Sequence, residues 1–177
     1  MSSSVRKLTY RDYVCFPDNG HRHELIDGDH YMNPAPSTYH QAVSRRLQFQ
    51  LYQQIELSGF GCVIDAPVDV QLSDYDIVQP DLVIVLHSNR IITPSKVKGI
   101  PDHLIEILSP STERNDCELK YRLYERVGVP EYWIVDPLEH DVQQYVLSDG
   151  RYQLREHTEV VVVSYLNAVR VDLAQVW

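Results

Sequence analysis

Leu82-Val83-Ile84-Val85-Leu86 is apolar at every position and is entered through Pro80-Asp81. A strand with one wet face alternates apolar and polar residues, whereas a strand that is apolar throughout is covered on both faces. The run therefore predicts a central strand in a sheet with a layer on each side. Leu104-Ile105-Glu106-Ile107-Leu108 predicts a second such strand, with one exception in it. Side chains alternate between faces, so Glu106 shares its face with Leu104 and Leu108.

Around these two strands the chain reads as short elements. Thr9 is placed to cap a brief helix over Tyr10 to Cys15, which Pro17-Asp18-Asn19-Gly20 ends. His23 to Ile26 and His30 to Met32 flank Asp27-Gly28-Asp29, a hairpin signal. Ser37 or Thr38 can cap a helix whose apolar residues Val43, Leu47, Leu51 and Ile55 recur every four positions up to Gly59. Cys62 to Ile64 and Val68 to Leu72 alternate like strands. After Pro110-Ser111-Thr112 a second helix is expected to bury Leu119, Leu123 and Val127, and Gly128 and Pro130 stop it. Strands follow at Tyr132 to Val135, Val142 to Leu147, Tyr152 to Arg155 and Val160 to Val163. The expected fold is α/β in the α+β sense. Its core runs helix, three strands, helix, strand, in a mixed sheet flanked by helices, with a hairpin before it and strands after it.

At 177 residues the chain has the size of one domain, expected to span 1–177 with residues 1–7 disordered. No apolar h-region follows Met1 and no run is long enough to span a bilayer, so the expected location is the cytoplasm. Cys15, Cys62 and Cys117 are odd in number and lack CxxC spacing, which predicts reduced, structural thiols. The net charge of -9 excludes a surface built as a whole for phosphate binding. A nucleic-acid contact would need a local basic strip, for which Lys120, Arg122 and Arg126 are the candidates, or the groove of a dimer.

Chemistry centres on two acids. Glu106 lies within an apolar strand and Asp81 at the head of another, where a carboxylate is costly to desolvate. Two such groups repel unless protons or a cation join them. Few, acidic oxygen ligands suit Mg²⁺ or Mn²⁺, which keep several waters. Such an ion activates water and neutralises charge growing on a phosphodiester, and a nearby lysine would complete the set.

Pro80-Asp81, then Glu106-Ile107-Leu108, then a helix, follows the order of the PD-(D/E)XK signature, except that Leu108 stands where the lysine would be. Lys120, on the following helix, has the reach to replace it. The wider text is His23-Glu24-Leu25-Ile26-Asp27-Gly28, Gln79-Pro80-Asp81-Leu82-Val83, Ile105 through Thr112, Lys120 and Tyr124, and Gly128 through Asp136. With these motifs the chain resembles the Uma-two family of restriction-endonuclease-like proteins in the PD-(D/E)XK superfamily, from roughly Leu8 to the C-terminus. The resemblance implies a nuclease fold, metal binding by Asp81 and Glu106, a catalytic role for Lys120 and a supporting acidic role for Glu24. It also implies a Mg²⁺- or Mn²⁺-dependent deoxyribonuclease in which the Ile107 carbonyl joins the metal ligands, with DNA as partner and a homodimer as assembly.

Blander assignments exist for each residue. Asp81 alone is compatible with capping a turn after Pro80, and Glu106 with pairing to a buried arginine. Lys120 is compatible with an exposed i,i+4 pair to Asp116, and Tyr124 with the edge of the core rather than with support of the site. Glu24 fits a structural salt bridge as well as a metal contact. His21 and His23 share a strand face, but among eight histidines that spacing carries little weight. Trp133 reads as core, and Ser109-Pro110-Ser111-Thr112 as a strand end and helix cap rather than a nucleophile. A binding or regulatory protein on a nuclease-like fold is the second functional reading, and an enzyme acting on a small phosphate-containing ligand the third.

Overall fold

The computed structural model describes residues 6–110, 115–157 and 159–177, leaving aside the side chains of Asn115 and Asp116. The cap expected at Ser111-Thr112 and the side chain of Asp116 thus lie outside the described residues, as do residues 1–5 of the stretch expected to be disordered. Arg6 pairs with Asp12 at 2.9 Å, and Lys7 with Asp27.

The chain begins with α1 (Tyr10–Tyr13), closed at its start by a capping box in which Asp12 Oδ2 accepts from Thr9 N at 2.8 Å. β1 (Arg22–Ile26) and β2 (Asp29–Asn33) form the expected hairpin. Its turn, Asp27-Gly28, holds φ of 51° and 76°, the positive pair that a two-residue hairpin of matching twist requires. In α2 (Thr38–Leu51) the Ser37 hydroxyl accepts from His40 N, and a π-helical turn, Tyr52–Glu56, continues the helix. Val43, Leu47, Leu51 and Ile55 are all fully buried, each adding about 1.5–3 kcal/mol of apolar transfer.

Then come β3 (Gly61–Asp65), β4 (Val70–Gln71), β5 (Ile77–Val78), β6 (Leu82–Leu86), β7 (Val97–Lys98) and β8 (His103–Ile107). A π-helical turn, Asn115–Lys120, leads into α3 (Tyr121–Val127), which Gly128 closes in the left-handed conformation at φ 89°. β9 (Glu131–Asp136), β10 (Asp141–Ser148), β11 (Arg151–Arg155), β12 (Val160–Val162) and β13 (Arg170–Asp172) complete the strands. The main sheet has the order β11-β10-β9-β8-β6-β3, parallel only between β8 and β9. A second sheet runs β2-β1-β5-β4-β7, and β12 pairs with β13.

The fold is the mixed α+β arrangement expected, with α2, β3, β6, β8, α3 and β9 in the anticipated order. Both apolar strands are covered on both faces. Ile105 and Ile107 of β8 pack with Val43 and Leu47 of α2 and with Val161 and Val171 of the last hairpin. Leu104 and Leu108 pack on the other face with Leu123 and Tyr124 of α3 and with Val70, Val78 and Val97 of the second sheet. β5, β7 and β13 were not expected, because two or three residues carry no readable period. The stripe expected on the second helix is also corrected. Leu123 is buried, but Leu119 and Val127 are only half-buried, and the inner face instead carries Lys120 and Tyr124. The π-helical turn before α3 departs from 3.6-residue spacing, so the phase read from Leu119 does not carry through. No helix among the described residues is long and apolar enough to cross a membrane.

His103 opens β8 with no solvent exposure, its ring edge-on to Trp133 at 4.7 Å. Burial drives its pKa from 6.5 down to about 4, against the opposing pull of Glu131 and Asp102. The neutral ring is thus favoured in the folded state, and the unfolded chain binds the extra proton between those two values. This contribution to stability is complete above the unfolded pKa and is lost as pH falls towards the folded one. Urea unfolding is expected to show about 2 kcal/mol lost to this group between roughly pH 7.5 and pH 5, and His103→Asn to flatten that slope.

Candidate active site

β6 and β8 run antiparallel with Leu82 opposite Ile105 and Val83 opposite Leu104. Asp81 immediately precedes Leu82 where β6 begins, and Glu106 follows Ile105 where β8 ends. Asp81 Oδ2 accepts from Ile107 N at 2.9 Å, which pins the acid to the neighbouring strand. Asp81 is 6% exposed and Glu106 3%. The sheet thus holds two carboxylates side by side at one end, each with a helix over it from a different face.

On the α3 side, Glu106 Oε1 accepts from Lys120 Nζ and from Tyr124 Oη, both at 2.9 Å. Lys120 Nζ also lies 3.0 Å from Glu24 Oε1, and the lysine is only 2% exposed. This excludes the solvated surface position weighed for Lys120. Glu24, on β1, is fully buried, and its oxygens accept from Gln79 N and Asn33 Nδ2, each at 2.6 Å. A buried cation therefore sits between two buried anions that repel each other without it. Tyr124 is fully buried, and its hydroxyl reaches the acid rather than the edge of the core.

On the α2 side, His40 Nε2 stands 3.1 Å from Asp81 Oδ2 and 3.0 Å from the Ile107 carbonyl oxygen. Arg22, at the start of β1, reaches Asp81 Oδ1 with Nη1 at 3.2 Å. Burial pushes the Asp81 carboxyl up, but His40, Arg22 and the Ile107 N–H together outweigh it and hold the group below the usual carboxylate range. These neighbours assign Asp81 to more than a turn cap.

Sequence reasoning brought together Asp81, Glu106, Ile107, Lys120, Tyr124 and Glu24, and the structure gathers all six. It missed His40, Arg22 and Asn33. His40 was within reach, since it continues the buried stripe of α2 one turn upstream, at 40, 43, 47 and 51. Arg22 and Asn33 carry no local signal; they meet the acids because β1 and β2 fold beside them. Of the basic strip around Lys120, Arg122 and Arg126, the two arginines are exposed and the lysine is not. Lys120 is buried, and Arg126 Nη2 pairs with Asp76 at 3.2 Å. His23 meets His30 at 2.9 Å through the hairpin, away from the two acids.

A cleft of about 270 Å³ opens onto this end of the sheet, lined by Arg22, His40, Asp81, Glu106, Lys120 and Leu138 among others. Among the described residues no three His, Cys, Asp or Glu side chains converge closely enough to cage an ion. Mg²⁺ needs no such cage, since it keeps several waters and takes one or two carboxylates. The hard oxygens of Asp81, Glu106 and the Ile107 carbonyl fit an ion of that kind.

The sequence profile of the Uma2 family, described as "putative restriction endonuclease", matches residues 10–174. Functionally curated proteins give no match. In the crystal structure of a protein from Anabaena variabilis, described as "a putative nuclease belonging to DUF820", the fold is similar at a TM-score of 0.79 and 18% identity. The likeness covers 96% of this chain and 97% of that one, and at such identity it speaks for the fold alone.

Lys120→Met is expected to lower the unfolding free energy by about 3–5 kcal/mol, because Glu24 and Glu106 lose the cation between them. Adding Glu24→Gln removes one of the two charges and should recover part of that loss. Urea titrations of both single variants and the double variant check this; additive losses would show that the acids do not share the lysine.

Proposed function

The chain belongs to the Uma2 family, and from that premise we propose that it is a divalent-metal-dependent endonuclease hydrolysing phosphodiester bonds in DNA. The observation that carries this reading is Asp81, at the head of β6, held to the Ile107 N–H beside Glu106 at the end of β8, with Lys120 delivered to Glu106 from a separate helix. Asp81, Glu106 and the Ile107 carbonyl would hold Mg²⁺ or Mn²⁺. When bound, the ion supplies an activated water and neutralises charge on the phosphate.

The remaining work falls to the chain's own groups. Lys120 orients the attacking water and stabilises charge that grows on the phosphoryl oxygens. Glu24 and Tyr124 position it: Glu24 anchors the ammonium, and the Tyr124 hydroxyl shares Glu106 Oε1 with it. Water adds to phosphorus, the bond from phosphorus to one sugar oxygen breaks, and that oxygen leaves with a proton. A homodimer would set two such sites against the two strands of a duplex.

A non-catalytic or regulatory role on the same fold is favoured by one observation. The net charge is -9, and the cations nearest the site are turned inward onto acids rather than outward.

Supercoiled plasmid incubated with Mg²⁺ or Mn²⁺ separates the two. Nicking by the native chain is expected, with Asp81→Asn, Glu106→Gln and Lys120→Met each slower by about 10²-fold or more. Thermal melts on the same samples distinguish lost chemistry from lost folding. Cleavage that survives all three substitutions would overturn the site assignment. Absence of cleavage by a folded native chain with either metal supports the regulatory reading.

A further inference from the structure

None of the roles above uses His40, although no other histidine reaches either acid among the described hydrogen bonds. The residue is 5% exposed, and α2 presses its ring against the strand ends. Its Nδ1 is buried without a hydrogen-bond partner, while Nε2 faces two oxygens at 3.1 and 3.0 Å. His103 also leaves a ring nitrogen without a partner, so what sets His40 apart is that its other nitrogen faces Asp81 and the Ile107 carbonyl at the cleft.

The spacing has a specific meaning. In an octahedral site with ligands about 2.0–2.1 Å from the ion, neighbouring donor atoms stand about 2.8–3.0 Å apart, the metal–ligand distance multiplied by the square root of two. His40 Nε2 lies within a short shift of that edge length from both Asp81 Oδ2, at 3.1 Å, and the Ile107 carbonyl, at 3.0 Å. Arg22 occupies the other side of the carboxylate at Oδ1, which leaves Oδ2 as the oxygen directed at the ring.

We propose that His40 Nε2 is a further ligand of the divalent cation, contributed by α2, so that the site is a mixed nitrogen and oxygen set. This rests on the metal-dependent reading above. Facing only oxygens, Nε2 carries the ring hydrogen; facing a cation, it presents its lone pair and the hydrogen sits on Nδ1. With no protein acceptor tied to Nδ1, the ring takes either tautomer without breaking another bond. An imidazole moves preference away from Mg²⁺ and towards the transition metals, so this set should hold Mn²⁺ more tightly than Mg²⁺.

The test is electron spin echo spectroscopy of Mn²⁺ bound to the full chain, with affinities from calorimetry. The native protein should show ¹⁴N modulation from a bound imidazole. Histidine-specific ¹⁵N labelling should alter it, a readout that needs no substitution. His40→Ala, or His40→Asn if alanine impairs folding, should abolish the modulation. It should also weaken Mn²⁺ by at least the roughly 10- to 100-fold typical of losing a supporting residue, and Mg²⁺ by less. Mn²⁺ that binds at Asp81, shown by its loss in Asp81→Asn, yet gives no ¹⁴N modulation overturns the His40 assignment alone. Modulation that persists in the His40 variants does the same. A native chain that binds no Mn²⁺ overturns the metal-dependent reading and this assignment with it.

Discussion

A lysine ammonium shut away from water is tolerable only when anions surround it, and two anions so close are tolerable only with the cation between them. Glu24, Lys120 and Glu106 meet that condition together, and no member of the set meets it alone. Much of the architecture follows from keeping them in place. The hairpin carries Glu24 in, β8 presents Glu106, and α3 lowers Lys120 and Tyr124 onto the same face. The apolar contacts of Leu104, Leu108 and Leu123 around them exclude the water that would otherwise weaken the charges' mutual attraction.

The end of the sheet has two sides with different duties. The face under α3 is anionic and lysine-neutralised; the face under α2 brings His40 and Arg22 to Asp81. A further buried acid, Glu131, shows what a purely structural carboxylate looks like. Glu131 takes hydrogen bonds from Trp133, Gln144 and Ser164, all neutral donors, and ties β9 to the segment after β12. Glu106 takes its bonds from a lysine and a tyrosine beside an open cleft. Burial alone does not distinguish the two acids, but their donors and their access to solvent do.

The central layers were legible because apolar period and run length report them directly. Leu82 to Leu86, the α2 stripe and the Asp27-Gly28 turn all carried their geometry in local sequence. Glu106 was legible as an acid in a strand with no other place for one. Lys120 could be read as exposed or buried, since the π-helical turn that sets its direction has no sequence period. Arg22 was invisible for a different reason: its bond to Asp81 depends on how the second sheet docks, and nothing adjacent in the chain encodes that.

The gathered charges come from five separated stretches of the chain: the hairpin, the start of α2, the head of β6, the tail of β8 and the entry to α3. No fragment of the protein carries a usable subset, because the acids of β1 and β8 are mutually hostile until α3 docks. A chain arrested with its sheet formed but α3 undocked would hold two carboxylates with no lysine between them. Completion of the tertiary structure and completion of the charge set are therefore one event, so a partly folded copy lacks the arrangement that a finished one possesses.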